Sequence, residues 1–532
     1  MISIQNLMIR PRTMLFYVKS NCFVQTMGSE RKLYPNCDSN VWLRSCGEEI
    51  VEPVKGTITG CMPPWLRGTL LRNGPGSLNV GSMRYKHLFD SAALLHRFSI
   101  NDGQVTYQCR FLRSNTYKKN QAAQRIVVTE FGTKAVPDPC HTIFDRVSAI
   151  FNPAESISDN AMISVYPFGD KIYAFTEGPV IHRIDPTTLD TMERINLMDR
   201  VALINHTSHP HVMPNGDVYN VGMSIVSGRI RHVVVKFPFV EKGDMFANAE
   251  IVGSMKPRWS LHPAYMHTFG ITQNYFVIVE QPLTVSLINM VRNQLTNQPL
   301  IASLKWFSEY ETHIVLISRT TGNEIKRYRT DTMFFLHIIN SFEHEGKLVV
   351  DLCAYKDAKV LEAMYVDAIE TMQTNADYAA WFRGRPKRLE MDLNDPNMTK
   401  IDAELLADVG CETPKTYYEK YNGRAYRYFY AISSDVDAEH PGSIIKVDTK
   451  TGKVTTWWDD GCYPSEPIFV PRPDSTEEDD GILLSAIVFG DEERRVGLLV
   501  LDAKNFQEEA RVIFQTPSPA PKCLHGWFLP AK

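Results

Sequence analysis

An all-β fold of the propeller kind is the expectation for this chain, and three observations carry it. A unit of strand, strand, Asp-led turn and strand recurs along the sequence. Segments rich in β-branched residues and bounded by turn residues fill much of the interval between its copies. The length of 532 residues exceeds the usual single-domain size, yet a closed array of repeats holds such a length as one unit. Radial closure of repeated antiparallel sheets also creates an axis on which side chains from distant segments can meet.

Taken in order, residues 1–29 carry Arg10, Arg12 and Lys19, no acidic residue, and Met1, Met8, Met14 and Met27. Residues 1–33 are therefore expected to be a disordered or weakly mitochondrial-targeting extension, and 34–532 a single domain. The strand-like 68–72 leads into Asn73-Gly74-Pro75-Gly76, which reads as a tight turn with glycines at positive φ. No Lys and Ser/Thr follow it, so it is not a phosphate cradle. The repeated unit appears first as 171–177, 180–185 with Pro186-Thr187-Thr188, and 191–197. It returns as 444–448, Thr449-Lys450-Thr451-Gly452 and 453–457, and again as 497–502, Ala503-Lys504-Asn505 and 510–514. Between the copies, 218–237, 275–279, 314–319 and 348–353 read as further strands. Two segments break the rhythm. Residues 359–372 place Val360, Leu361, Met364, Tyr365, Ala368 and Ile369 at helical spacing. Residues 283–306 mix Leu287, Ile288, Val291 and Leu295 with polar groups, which suits either a capping helix or an apolar rim that dips into a bilayer.

Composition excludes some functions. Hydrophobic residues at 44% and charged residues at 22% are those of a globular protein, and a net charge of -4 without a basic stripe gives no reason to expect nucleic acid. The 10 cysteines form no Cys-x-x-Cys pair and read as reduced thiols of a cytosolic protein. No apolar run reaches the roughly 18 residues of a membrane span, since Glu280 and Gln281 interrupt the best candidate.

Candidate chemistry begins with His267 in Tyr265-Met266-His267-Thr268-Phe269. An interior imidazole must satisfy two ring nitrogens, so it is either a hydrogen-bonded core residue or a metal ligand. His209, His337 and His525 lie in similarly apolar surroundings. Four neutral imidazoles suit Fe(II), Cu or Zn rather than Ca or Mg. Ligating histidines commonly donate their second N–H to a carboxylate. Glu177, Glu412 and Glu466 stand in apolar surroundings that fit this role, although a count of glutamates alone leaves the core and metal readings level.

At these residues the chain resembles the carotenoid cleavage oxygenase family over nearly everything from residue 34 to 529. The resembling stretches are Trp65-Leu66-Arg67-Gly68-Thr69-Leu70-Leu71-Arg72-Asn73-Gly74-Pro75-Gly76, His87-Leu88-Phe89-Asp90, Pro137-Asp138-Pro139-Cys140, Tyr265-Met266-His267-Thr268-Phe269-Gly270 and Tyr463-Pro464-Ser465-Glu466-Pro467-Ile468-Phe469-Val470. The resemblance implies a seven-bladed propeller whose axial Fe(II) is held by His209, His267, His337 and His525. Glu177, Glu412 and Glu466 would orient three of these imidazoles. A dome of helices and loops would cover a hydrophobic tunnel lined by Phe131, Thr176, Tyr265 and Tyr355. His211 falls outside the ligand pattern and is expected to be structural. Leu524 stands where some relatives carry phenylalanine, which alters the tunnel there.

The implied activity is O2-dependent central cleavage of a carotenoid at its 15,15′ bond to retinal, with coupled trans-to-cis isomerisation to an 11-cis product. The aromatic walls would stabilise cationic character along the polyene. The other readings are a non-oxidative retinoid isomerohydrolase, a non-catalytic carotenoid-binding propeller, and a zinc hydrolase on the same histidines. Expected partners are a carotenoid of the β-carotene, zeaxanthin or lutein type, a peripheral membrane surface and a weak dimer, with a cytoplasmic, membrane-associated location. Membrane contact is expected at 283–304 and at 137–144, where Cys140 is either a packed thiol or an acylation site.

Overall fold

The computed structural model describes residues 32–136 and 157–531. The expected extension up to residue 31, and the stretch 137–144 with Cys140, lie outside the described residues.

Many strands read as unbroken apolar runs because both of their faces are buried. In Tyr275–Glu280, Val277 and Val279 pack toward one neighbouring sheet, while Phe276 and Ile278 pack toward the other. This alternation recurs around the molecule and produces seven antiparallel sheets, the blades of a propeller. Blade one holds Ile50–Lys55, Gly68–Ser77, Ala92–Asn101 and Gln104–Phe111, joined by the C-terminal Gly526–Pro530. Blade two runs from Ser164–Phe168 to Thr191–Asn196, blade three from Leu203–His206 to Glu250–Met255, and blade four from Gly270–Ile271 to Glu324–Thr330. Blade five runs from Phe334–His344 to Ala403–Leu405, and blade six from Glu412–Lys415 to Val454–Trp457. Blade seven runs from Cys462–Pro464 to Glu508–Gln515 and is completed by Thr57–Gly60 from near the N-terminus.

Each boundary between consecutive blades, including that between blades seven and one, is filled by its own apolar cluster. Phe98 and Tyr107 of blade one meet Phe514 of blade seven. A fully buried side chain of this size contributes about 1.5–3 kcal/mol by leaving water, so the ring gains stability at every joint.

The repeated units are where they were expected, and their turns share one device. Asp185 Oδ1 accepts the Thr187 and Thr188 N–H groups at 2.7 and 3.0 Å. Asp448 Oδ1 accepts that of Lys450 at 3.0 Å, and Asp502 Oδ1 those of Lys504 and Asn505 at 2.9 and 2.8 Å. These Asx turns connect the outer strands of blades two, six and seven.

Two expectations are corrected. Asn73-Gly74-Pro75-Gly76 is not a turn, because Gly68–Ser77 continues through it as one strand. Its glycines serve close approach instead. A Cβ on Gly74 would lie 2.7 Å from Cys523 Cα and Leu524 N, and one on Gly76 would lie 2.4 Å from Leu94 Cβ. Residues 359–372 likewise do not form one helix. They form Val360–Ala363 and Val366–Glu370, interrupted at Tyr365, which is extended and bridges to His87. The Val366 N–H donates to Lys86 C=O at 2.8 Å, so tertiary pairing draws the chain out of the helical path.

These short helices, Asn115–Ala123, and the segment 283–306 build the dome. In the last, Leu283–Val285 pairs with Leu304–Trp306, and the helix Leu287–Thr296 is carried between them.

Gly74→Ala is expected to cost about 1–3 kcal/mol through overpacking against the Cys523 and Leu524 backbone. The urea-unfolding midpoint measures this, and an unchanged midpoint would show that the segment yields freely.

Candidate metal centre

The axial edges of the blades bring distant residues together. His209 lies between Leu203–His206 and His211–Val212 of blade three, and His267 precedes Gly270–Ile271 of blade four. His337 belongs to Phe334–His344 of blade five, and His525 precedes the C-terminal strand in blade one. Their rings converge: His209 stands 4.7, 5.0 and 4.5 Å, centre to centre, from His267, His337 and His525. His337 is 5.0 Å from both His267 and His525.

The three glutamates come from the other blades. Glu177 follows Lys171–Phe175 of blade two, Glu412 opens Glu412–Lys415 of blade six, and Glu466 lies between Cys462–Pro464 and Ile468–Pro471 of blade seven. His267 Nδ1 donates to Glu177 Oε1 at 2.5 Å, His337 Nδ1 to Glu412 Oε2 at 2.5 Å, and His525 Nδ1 to Glu466 Oε1 at 2.7 Å. Glu177 also accepts the Tyr265 hydroxyl at 2.8 Å, and Glu412 that of Tyr355 at 2.9 Å. Glu466 instead faces cations, with Lys415 Nζ at 3.2 Å and Arg72 Nη1 at 3.5 Å, and accepts the Gly526 N–H at 3.0 Å.

Electrostatics favour the charged form of Glu466 and Glu412 and the neutral form of His525 and His209. Burial pushes Glu466 upward more than any other single influence, yet Lys415, His525 and Arg72 together hold it well below the ordinary carboxylate range. Glu412 is likewise raised by burial but brought down overall by His337, the Thr413 N–H and the Tyr355 hydroxyl. Burial drives His525 down to about 4. Burial, followed by the neighbouring imidazoles, drives His209 well below its ordinary value.

This donor set fits a transition metal. With Nδ1 of His267, His337 and His525 committed to a carboxylate, the Nε2 of each carries a lone pair. His209 Nε2 and His267 Nε2 face each other at 3.1 Å, and His337 Nε2 is buried with no hydrogen-bond partner among the described residues. Nitrogen atoms of His209, His267 and His337 all lie within 4.8 Å of one another. Converging lone pairs in a buried site repel unless a cation sits among them, and an all-imidazole set suits Fe, Cu or Zn.

The centre forms part of the wall of a cavity of about 1530 Å³. Phe131, Thr176, Tyr265, Tyr355 and Leu524 all line it, as do residues of the helix Leu287–Thr296. His211 has both nitrogens occupied, by Tyr418 Oη at 3.0 Å and Phe269 O at 2.9 Å, and is a structural residue.

Three participants escaped the sequence reading. Among the described residues no carboxylate meets the outer nitrogen of His209; Tyr166 Oη lies 3.3 Å from its Nδ1. Arg72 and Lys415 are the others. An arginine inside the apolar strand 68–72 was a usable signal for the first, and nothing local marks Tyr166 or Lys415.

Residues 43–530 match the profile of the family described as "Retinal pigment epithelial membrane protein". A protein of Galleria mellonella named "Carotenoid isomerooxygenase" is 72% identical over 94% of this chain and 99% of its own length. The chain belongs to the carotenoid cleavage oxygenase family. A carotenoid isomerooxygenase of Drosophila melanogaster is 46% identical over 94% of this chain and 94% of its own. Among solved structures, a Synechocystis apocarotenoid oxygenase variant superposes with a TM-score of 0.75 at 24% identity, covering 93% of this chain and 100% of its own, and so shares the fold.

Glu412→Gln keeps an acceptor for His337 but removes its charge, and should weaken metal retention roughly 10–100-fold in a chelator competition assay. Tyr166→Phe should weaken it less, because a hydroxyl at 3.3 Å is the weaker tie. The reverse ranking would remove the glutamate from its orienting role.

Proposed function

We propose that this protein is an iron-dependent oxygenase that cleaves a carotenoid at its central 15,15′ double bond to two aldehydes and couples the cut to trans-to-cis isomerisation. The observation that carries the proposal is the convergence of four imidazoles, three of them tied to carboxylates and lining a cavity of about 1530 Å³, in a chain 72% identical to a carotenoid isomerooxygenase. His209, His267, His337 and His525 hold the metal, and Glu177, Glu412 and Glu466 orient three of them. Fe(II) bound there supplies the activation of O2.

The chain's own residues then have definable tasks. The cavity, at about 1530 Å³, exceeds the roughly 300–1,000 Å³ of common small-molecule pockets and suits a long polyene of the β-carotene, zeaxanthin or lutein type. Tyr265 and Tyr355 are held as neutral phenols, raised far above their ordinary range first by burial and then by the adjacent glutamates. Their protons are committed to Glu177 and Glu412 and are not available to the substrate. Donation to a carboxylate enriches the ring in electron density, so the two rings, with Phe131, stabilise positive charge on the polyene. Such contacts are worth about 0.5–2 kcal/mol each. Partial cationic character lowers the barrier to rotation about a double bond. Atoms balance: one alkene and one O2 yield two aldehydes, and no acid–base pair is required.

Attachment to a membrane surface is part of the proposal, since the substrate is insoluble in water. No helix among the described residues is long and apolar enough to cross a membrane. Leu261, Ile288 and Val291 are 54%, 59% and 43% exposed, and the helix Leu287–Thr296 that carries the last two also lines the cavity. Each such side chain contributes about 1.5–3 kcal/mol when buried in lipid.

Two measurements test this reading. Aerobic incubation with a carotenoid should consume one O2 per cleavage and yield cis-retinal, and anaerobic incubation should yield nothing; anaerobic turnover would point to the isomerohydrolase reading. In liposome flotation, glutamates at positions 261, 288 and 291 should release the protein while sparing activity on detergent-dispersed substrate. Equal flotation of the variant and the parent would exclude this surface.

A further inference from the structure

The cavity that holds the histidine centre is also lined by Cys37, Trp42, Tyr463, Lys522 and Cys523, which the cleavage chemistry does not use. Lys522 is only 4% exposed, and its Nζ lies 4.3 Å from the centre of the Trp42 ring. Among the described residues no carboxylate pairs with it. Its strongest charged or ionisable neighbours are Cys523, Cys37 and Cys462, followed by Arg72. Burial pushes the thiols of Cys37 and Cys462 up to about 11 and about 12, so neither supplies a counter-ion at neutral pH.

A buried ammonium group without an anion is unfavourable, and the strain is relieved when the amine gives up its proton. Burial holds Lys522 down to about 8. At about 8 the amine is still mostly protonated at neutral pH, but its neutral share is far larger than that of an ordinary lysine, and a desolvated amine beside a hydrophobic cavity is the usual activated form of a Schiff-base lysine. Lys522 is also close to the reaction: three residues of chain, at most roughly 10–11 Å, separate it from His525.

We propose that Lys522 captures an aldehyde product as a Schiff base, a covalent holding site on the wall of the substrate cavity. The inference rests on the carotenoid-cleavage reading, because that reaction supplies the aldehyde. In the step itself, the Nζ lone pair adds to the aldehyde carbon, and the two protons of the neutral amine leave with the carbonyl oxygen as water. A C=N bond remains, and no electrons are exchanged. Hydrolysis reverses the step and releases the polyene aldehyde intact. Trp42 packs against the amine, its ring centre 4.3 Å from Nζ.

The test supplies the aldehyde directly, so that it does not depend on turnover. Purified full-length protein is mixed with retinal and cyanoborohydride in the absence of carotenoid, and reduced adducts are mapped by mass spectrometry. Lys522 should be modified on the order of a hundredfold faster than the exposed Lys453, the gain in free base expected of an amine at about 8. The adduct at this position should vanish in Lys522→Arg, which keeps a cation over Trp42, and in Lys522→Met, with labelling at Lys453 unchanged. Modification of Lys522 no faster than Lys453 overturns the capture site. Cleavage of carotenoid by a protein that fails to label at Lys522 overturns this inference alone. Labelling at Lys522 in a protein that cleaves no carotenoid retains the amine site and removes the proposed source of its aldehyde.

Discussion

A buried imidazole directs a lone pair toward a fixed point only when its other nitrogen is tied down, and here the tie is a carboxylate from a different blade. Glu177 of blade two holds His267 of blade four, Glu412 of blade six holds His337 of blade five, and Glu466 of blade seven holds His525 of blade one. With His209 from blade three, every blade contributes one residue to the axis. Charge-assisted hydrogen bonds of this length are strong, but burying the carboxylates is costly unless all their oxygens are satisfied. Tyr355, Arg72, Lys415 and the Gly526 N–H complete the bonding of Glu412 and Glu466, and Tyr265 adds a second donor to Glu177 Oε1. The site can therefore exist only in a completed ring.

Ring closure is built into the same residues. The chain ends are exchanged between blades, with Thr57–Gly60 pairing in blade seven and Gly526–Pro530 in blade one. Arg72, fully buried, donates to the Glu466 carbonyl at 2.8 Å and also to the Leu524 carbonyl, so one guanidinium ties both blades to the segment that ends in His525. The Asn73 N–H donates to His525 C=O at 2.9 Å and the Leu524 N–H to Asn73 C=O at 2.8 Å. Gly74 lets that backbone come close enough. Closure and ligand placement are thus one packing event.

The two sides of the histidine cluster differ in character. Toward the dome lies the large cavity with Phe131 and the rings of Tyr265 and Tyr355. His209, His337 and His525 also border a much smaller cavity of about 80 Å³, lined by Lys415, Tyr418 and Asn422.

The strands were legible because burial on both faces writes apolar runs such as 275–279 directly into the chain, and the Asp-led turns were legible because an Asx turn is a local interaction. The histidines and glutamates were visible as polar residues in apolar surroundings, but whether they were core residues or ligands stayed open on the residues alone. Only the family resemblance paired them. Two local readings failed where tertiary contacts overrode local preference: the glycines of 73–76 answer to the Cys523 backbone rather than to a turn, and Tyr365 leaves its helix for His87. Tyr166 and Lys415 had no local mark at all. What the sequence by itself determined, then, is the succession of doubly buried strands and the stock of imidazoles and carboxylates. Which nitrogen faces which oxygen was decided by the closed ring alone, because a hydrogen bond of 2.5 Å between Glu177 and His267 depends on how far apart two blades stand, a distance that no local stretch of chain encodes.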